Sequence, residues 1–429
     1  MKRILISTLM AIGVSLTACG GGSTVASTVA DAPAPFGDPQ LVAAWTKIQW
    51  YFRSNAEAAQ YEADKTYEAA ALAGVHLDRK GNMYVTTPRW MSAKLPSTLS
   101  QVVNINGSPL LLPFPNWDAH DLTKANGLRN VLGFNIDSKN RMWLVDMGWV
   151  AGESSVPDGA QKIVVIDLNT GVELKRYPIP DAVANRNTAF LNDLVIDEKR
   201  EVAYITDSGN RSVVASADPA VNTSGKVHTA AGILIYDYKA NSARRVLDMD
   251  KSVVDDFSSW LTVSGDKVFS DTSRLAVGIN GIALSNDGQT LYWNVTVGDG
   301  VYNAPTSALL DPAMSAAQLS AAVKGPLKIG GGSDGMTSDS KGRIYSTNLT
   351  EAKIQYFTAA DPTWKTVATS PGRGKGFDWP DTLAWDDTGG LYVTTNWLNK
   401  AFTGQMKFDG APNYRIYRIQ TDAQFGYVK

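Results

Sequence analysis

Asn192-Asp-Leu-Val-Ile-Asp197, a polar turn, then Tyr204-Ile-Thr-Asp207 is the phrase on which the reading of this chain rests. Two apolar runs of strand length flank a short polar turn, the signature of a β-hairpin. The phrase returns five more times, as Ala73-Gly-Val-His-Leu-Asp78 with Tyr84-Val-Thr-Thr87, Leu132-Gly-Phe-Asn-Ile-Asp137 with Trp143-Leu-Val-Asp146, Asn280-Gly-Ile-Ala-Leu-Ser285 with Tyr292-Trp-Asn-Val295, Asp334-Gly-Met-Thr-Ser-Asp339 with Tyr345-Ser-Thr-Asn348, and Asp381-Thr-Leu-Ala-Trp-Asp386 with Tyr392-Val-Thr-Thr395. One hairpin cannot bury both of its faces. Repeats built from strands alone can do so by packing as blades around a central channel. The expectation is an all-β, six-bladed β-propeller closed by N- and C-terminal strands.

Between the hairpins lie runs that supply the outer strands: residues 162–167 with 172–177, 232–237 with 243–247, and 354–357 with 366–369. Residues 414–419 have no hairpin partner after them, and residues 45–52 have none before them. The two are expected to share the last blade, because an open ring would leave strand edges exposed. A ring closed in this way is expected to be a monomer. Residues 55–72, rich in Ala and Glu, predict a helix outside the ring. Segments 208–229 and 303–327 exceed ordinary loop length and read either as covers over a binding mouth or as plain surface insertions.

A length of 429 residues suits one radial domain. The formal net charge is -2 and the charged fraction 19% without basic blocks, which argues against a nucleic-acid partner. Twelve Trp and sixteen Tyr recur near the start of the second strands, where flat side chains fill gaps between blades.

Lys2 and Arg3 precede an apolar stretch over residues 4–16, too short for a permanent span and suited to a secretory signal. Leu16-Thr-Ala-Cys-Gly20 resembles the lipobox of bacterial lipoproteins, whose cysteine is acylated after cleavage. Residues 1–18 are therefore expected to be a signal peptide, Cys19 the lipidation site, residues 19–40 a flexible tether, and residues 41–429 the propeller. Gly20 stands where an Asp would favour inner-membrane retention, so the expected location is the outer membrane, facing the periplasm, with the lipid as the sole membrane contact. Cys19 is the only cysteine, which leaves no intramolecular disulfide and no thiolate metal cluster.

Thr87-Pro-Arg-Trp90 with Leu95-Pro-Ser-Thr-Leu99, Pro113-Phe-Pro-Asn-Trp117, Asn140-Arg-Met-Trp-Leu-Val-Asp-Met-Gly148, Ala203-Tyr-Ile-Thr-Asp-Ser208 and Trp379-Pro-Asp-Thr382 stand in the order found in the major royal jelly protein and insect yellow family. The chain resembles that family from about residue 45 to about residue 402. It lacks the paired cysteines that the insect proteins carry, and the resemblance does not bring their nutritive, pigment-related or amine-binding roles with it.

The innermost residues of the six repeats are Ala73, Leu132, Asn192, Asn280, Asp334 and Asp381. Oxygen ligands converging on an axis suit Ca²⁺ or Mg²⁺. Asn192-Asp193, Asn280-Gly281 and Asp334-Gly335 are similar to the blade starts that hold one divalent ion in the regucalcin and gluconolactonase propellers. The resemblance implies a metal site at Asn192, Asn280 and Asp334, with Asp193 and Asp381 beside the channel. The Glu that completes that family's site is replaced by Ala73, which removes one carboxylate. The other reading of the same residues is that Asn or Asp before Gly makes a turn and caps backbone amides.

His76, inside a strand near the channel, is the one candidate for acid–base catalysis, with a packed core histidine as the alternative. His120 and His228 carry less weight. No serine-hydrolase elbow, zinc-binding His-Glu-x-x-His or phosphate loop is present. Gly330-Gly-Gly-Ser-Asp-Gly335 precedes a strand and reads as the lead into blade five. Two functions fit these features: binding of a small organic ligand at the channel mouth, or metal-assisted hydrolysis of a lactone, with a yellow-like tautomerase as its variant.

The lipobox yields a direct test. Cys19→Ser is expected to move the protein from the membrane fraction to the soluble fraction or to stall its maturation, and equal partitioning of variant and wild type would refute the anchor.

Overall fold

Five of the six repeated hairpins are tied at the turn by the Asp that ends the first strand, and the fourth by Ser285, whose Oγ accepts the Thr290 N–H at 2.9 Å. Asp137 Oδ1 accepts the N–H groups of Lys139 and Arg141 at 3.0 and 2.9 Å, Asp339 Oδ1 those of Lys341 and Arg343 at 2.9 and 3.0 Å, and Asp386 Oδ1 those of Thr388 and Gly390 at 2.8 Å each. Such side-chain caps fix the turn and, with it, the register of the two strands. The computed structural model describes residues 35–209, 214–216, 231–256, 259–269, 273–370 and 376–425.

Six four-stranded antiparallel sheets follow. Blade one is Val75–Leu77, Met83–Thr86, Leu99–Ile105 and Ser108–Pro113; blade two is Val131–Ile136, Arg141–Asp146, Lys162–Asp167 and Val172–Pro178. Blade three is Leu191–Asp197, Val202–Asp207, Gly232–Asp237 and Ser242–Val246, and blade four is Ile279–Leu284, Thr290–Val295, Val301–Pro305 and Lys324–Leu327. Blade five is Met336–Ser338, Arg343–Asn348, Lys353–Thr358 and Lys365–Thr369. Blade six takes Pro380–Trp385, Gly390–Thr395 and Tyr414–Gln420 from the C-terminal end and Gln40–Trp45 from the N-terminal end as its outermost strand. The expected six-bladed propeller, closed by strands from both ends of the chain, is thus the observed one. Aromatic side chains fill the spaces between blades, with Trp143, Trp293, Tyr204, Tyr236 and Tyr345 fully buried.

The inner strands are not regular where they meet the axis. In blades two, three, four and six the pairing of the first two strands slips around the innermost residues, between Val131 and Phe134, Leu191 and Leu194, Ile279 and Ile282, and Pro380 and Leu383. A bulge of this kind bends the strand and re-aims its side chains. The neighbouring blade sits so close that a methyl group on Gly133 would stand 2.1 Å from the carbonyl oxygen of Asn192, and one on Gly335 2.1 Å from that of Asp381. The glycines after the innermost residues serve this contact between blades, which corrects the reading of them as parts of capped turns.

Several boundaries differ from expectation. The closing strand is Gln40–Trp45, whereas residues 49–51 leave it for blade one, where the Tyr51 N–H donates to Leu111 O at 2.9 Å and the Leu111 N–H to Gln49 O at 2.9 Å. The fold also reaches further back than residue 41, since Phe36 bridges to Thr421 and the Gly37 N–H donates to Gln420 O at 2.8 Å. The helix expected over 55–72 is Asn55–Ala63, capped by Ser54, followed by a short 3₁₀ turn at Thr66–Ala69. Residues 303–327 are the outer edge of blade four with two short helices, Thr306–Leu310 and Ala316–Ala322, packed into that blade's core by Leu309 and Leu319; they do not cover the mouth. Residues 330–335 do lead into blade five. Most of 208–229, with His228, and residues 1–34, with Cys19, lie outside the described residues. Among the described residues no helix is long and apolar enough to cross a membrane.

The glycine contact can be tested by overpacking. Gly133→Ala is expected to cost about 1–3 kcal/mol and to lower the melting temperature by several degrees in a thermal scan; an unchanged midpoint would show that the blades can part at no cost.

Candidate functional site

Five of the six innermost residues, Leu132, Asn192, Asn280, Asp334 and Asp381, share the floor of one cavity at the upper end of the channel. Ala73, the sixth, is buried and joins a core cluster drawn mainly from blades two and three. In blades two, three, four and six the bulge turns the innermost residue toward this space, and with Asp334 of blade five residues up to 249 positions apart in sequence, from Leu132 to Asp381, converge there. The cavity offers about 160 Å³ to the centre of a water molecule, against the roughly 10–15 Å³ that one water needs. A small organic molecule therefore fits.

The walls come from segments that follow or precede the repeated hairpins. Trp90 and Met91 follow blade one's second strand, Trp149 follows blade two's, and Leu398 and Phe402 follow blade six's. Phe190, Leu275, Val277 and Trp379 lead into the next blades. Trp90 stacks on Phe190 with centroids 5.8 Å apart and planes at 17°, and Trp379 meets Phe402 edge-on at 6.3 Å. These wall residues were not singled out as ligand contacts in the sequence; Trp90 and Trp379 stood in quoted motifs, but nothing in the repeats marked them as lining a site.

The floor is a hydrogen-bonded set. Asn192 Nδ2 donates to Ser208 Oγ at 3.1 Å, and Asn280 Nδ2 donates to Thr296 Oγ1 at 2.8 Å and to Asp334 Oδ1 at 2.6 Å. Trp379 Nε1 donates to Asp334 Oδ2 at 2.6 Å, so both carboxylate oxygens of Asp334 have a donor. Asp381 accepts from Thr382 Oγ1 and Asn396 Nδ2, each at 3.2 Å. The side chains bond to one another rather than to turn amides.

Burial dominates the electrostatics. It raises the carboxyl of Asp334 to about 6, against the pull of its bonds from Trp379 and Asn280. Burial also lifts Asp381 well above the usual carboxylate range, and the charge of Asp334 adds to it. Asp193, one residue below Asn192, borders the channel beneath the cup; burial, with Asp334's charge behind it, raises it to about 7. Among the described residues no Lys, Arg or His lines the upper cavity. A second proton or a cationic ligand is what can neutralise this floor.

The residues fit a divalent cation poorly. An ion held by Asn192, Asn280 and Asp334 would have to displace the bonds that Asn280 and Trp379 make to Asp334, and Ala73 brings no carboxylate from blade one. Among the described residues no group of three His, Cys, Asp or Glu side chains is placed to hold a metal. His76 is not brought to the cup. It pairs opposite Tyr84, packs edge-on against Phe134 at 5.0 Å, and borders the lower part of the channel, where burial lowers it to about 3 and leaves it neutral. His120 is buried, with its Nε2 2.9 Å from Phe114 O.

The sequence matches the family model described as Major royal jelly protein over residues 130–425. It is 30% identical over 260 residues to Major royal jelly protein 9 of Apis mellifera, covering 58% of this chain and 55% of that protein. It is 28% identical over 181 residues to Protein yellow of Drosophila melanogaster, covering 40% and 33%. The matched stretches thus span about half, or less, of these relatives. Among solved structures it is similar to a gluconolactonase of Xanthomonas campestris, at 12% identity over 90% of each chain with a TM-score of 0.46, and to a luciferin-regenerating enzyme, at 14% identity over 83% of this chain and 95% of that one with a TM-score of 0.46.

The raised carboxyl of Asp193 sets a sign for stability. The folded protein keeps a proton that the unfolded chain gives up above about 3.8, so this group's contribution is full below that pH and is lost as pH rises through about 7. His76, lowered from 6.5, acts in the opposite sense between about 3 and 6.5, so the difference between variants isolates Asp193. Asp193→Asn is expected to melt a few degrees above the wild type at pH 8 and level with it at pH 4. Parallel melting curves across that range would refute the assignment.

Proposed function

The chain belongs to the major royal jelly protein family, and from that premise we propose that it is a binding protein whose upper cup takes a small, flat organic ligand carrying a positive charge or strong hydrogen-bond donors. The observation that supports this reading above others is the pair Asp334 and Asp381, buried at the base of an aromatic cavity that no basic side chain lines among the described residues. Aromatic walls give area and orientation to a flat molecule, while a few polar groups at the base fix its direction. A cation placed there gains an attraction that the dry walls leave largely unscreened.

A second reading rests on the same pair. Two carboxyls that together hold a proton can take one from a bound molecule at one position and return it at another, which is the chemistry of a tautomerase. A metal-assisted lactone hydrolase has less support, for the reasons of fit given above. The lipobox at Leu16–Gly20 supports placing the cup in the bacterial cell envelope, tethered through Cys19 to the outer membrane and facing the periplasm, with the protein a monomer.

Calorimetric titration of the purified protein with matched pairs of aromatic amines and their uncharged analogues tests the binding reading. The amines are expected to bind and the analogues to bind more weakly. Asp334→Asn and Asp381→Asn are each expected to cost the amines about 2–5 kcal/mol, a loss of roughly 30-fold or more, with little effect on the analogues. No binding by any member, or equal losses for both members of a pair, would refute it. Turnover of keto–enol substrates that both variants abolish would instead favour the tautomerase.

A further inference from the structure

Below the cup the channel continues between the inner strands, where His76, Asn135, Asp193, Thr337 and Thr382 line a narrow space. Beneath it lies a wider polar vestibule of about 280 Å³, bordered by His76, Asp78, Asn135, Asp137 and Asp386. Phe425 borders both. It arrives there on the C-terminal tail, which crosses from blade six to the end of blade five's first hairpin. Asp422 accepts from Lys341 Nζ and Arg343 Nη2 at 2.6 Å each, the Ser340 N–H donates to Gln424 O at 2.8 Å, the Gln424 N–H donates to Ser340 Oγ at 3.1 Å, and Phe425 bridges to Asp339.

We propose that Phe425 is a stopper: its ring closes the lower end of the channel and leaves the upper cup open from one side only. The latch and the ring have separate tasks. Ion pairs and main-chain bonds hold the tail to blade five, while the ring of Phe425, the last described residue, sits between two spaces lined by polar groups, packed against core residues of neighbouring blades. Were the ring absent, the vestibule and the inner channel would join around His76. That histidine is nine-tenths buried and lines both spaces, so it reports access to the space that the ring divides. The inference depends on the channel alone and stands or falls apart from the identity of the upper ligand.

Acylation of histidine by diethyl pyrocarbonate, followed by peptide mass spectrometry on the full chain, tests it, with buried His120 as the internal reference. Phe425→Ala is expected to raise the rate at His76 severalfold relative to His120, and Phe425→Leu, which keeps an apolar plug, to stay near the wild-type rate. Equal rates in wild type and Phe425→Ala would overturn the proposal. So would a Phe425→Leu protein acylated as fast as Phe425→Ala together with lost hydrogen-exchange protection at the Ser340 amide, because the shielding would then belong to the tail's main chain.

Discussion

Neighbouring blades touch at the axis through main-chain carbonyls, and the rest of the molecule is arranged around that contact. The carbonyls of Asn192, Asp334 and Asp381 lie against Gly133, Gly281 and Gly335, where any side chain would collide. Buried carbonyls need donors, and second-strand side chains supply them: Thr86 Oγ1 donates to Leu132 O at 2.9 Å, Asn294 Nδ2 to Asp334 O at 2.8 Å, and Thr394 Oγ1 to Ala73 O at 2.6 Å. The last of these joins blade six to blade one, so the pattern runs through the closure of the ring. Because the blades must sit this close, the innermost residues of blades two to six have little freedom left, and their side chains are delivered to the cup.

That delivery has an electrostatic consequence. Asn192 and Asn280 are neutral, and Asp334 and Asp381 are adjacent carboxyls in a cavity otherwise walled by apolar and aromatic groups. Two unneutralised charges in such a place repel with little water to screen them. Asp334 is the better solvated of the two, with two donors at 2.6 Å, whereas the donors to Asp381 stand at 3.2 Å. Asp381 is therefore pushed further toward its protonated form and Asp334 is the better placed to carry a negative charge, which gives the floor a direction.

The repeats were legible because they carry their own turn chemistry: an Asp, or Ser285 in the fourth, at the end of the first strand marks each hairpin, and the aromatic that opens the second strand marks the gap it fills. The floor was legible as a consequence, since equivalent positions in a ring must converge. What those residues do was less visible, because the sequence does not say that Asp334 meets an indole N–H from Trp379, a residue marked only by its place in the motif Trp379-Pro-Asp-Thr382. The walls were not legible at all. They come from segments outside the repeat, each different in length and composition, so no periodicity points to them. The closing strand was misplaced by a few residues because residues 45–52 read as one run although the main chain of Trp45 pairs with Tyr414 in blade six while residues 49–51 bond to blade one, where both indoles find acceptors, Trp45 in Pro109 O and Trp50 in Ser97 Oγ at 2.7 Å each.

Closure draws on more than strand pairing, and Arg343 explains how. Its guanidinium is buried and donates to Asp339 Oδ2 at 2.5 Å, within its own hairpin, and to Asp422 of the C-terminal tail at 2.6 Å. The ring of Phe36, from the N-terminal end, lies 5.1 Å from the same guanidinium and packs edge-on against Tyr345 and Tyr356 at 6.3 and 5.4 Å. Both ends of the chain are thus fastened to blade five as well as to each other in blade six. A buried cation left with one partner would be costly, so loss of either end weakens the hold on the other. The strand that closes the ring and the tail that reaches its lower mouth are coupled through this one side chain, although they lie at opposite ends of the sequence.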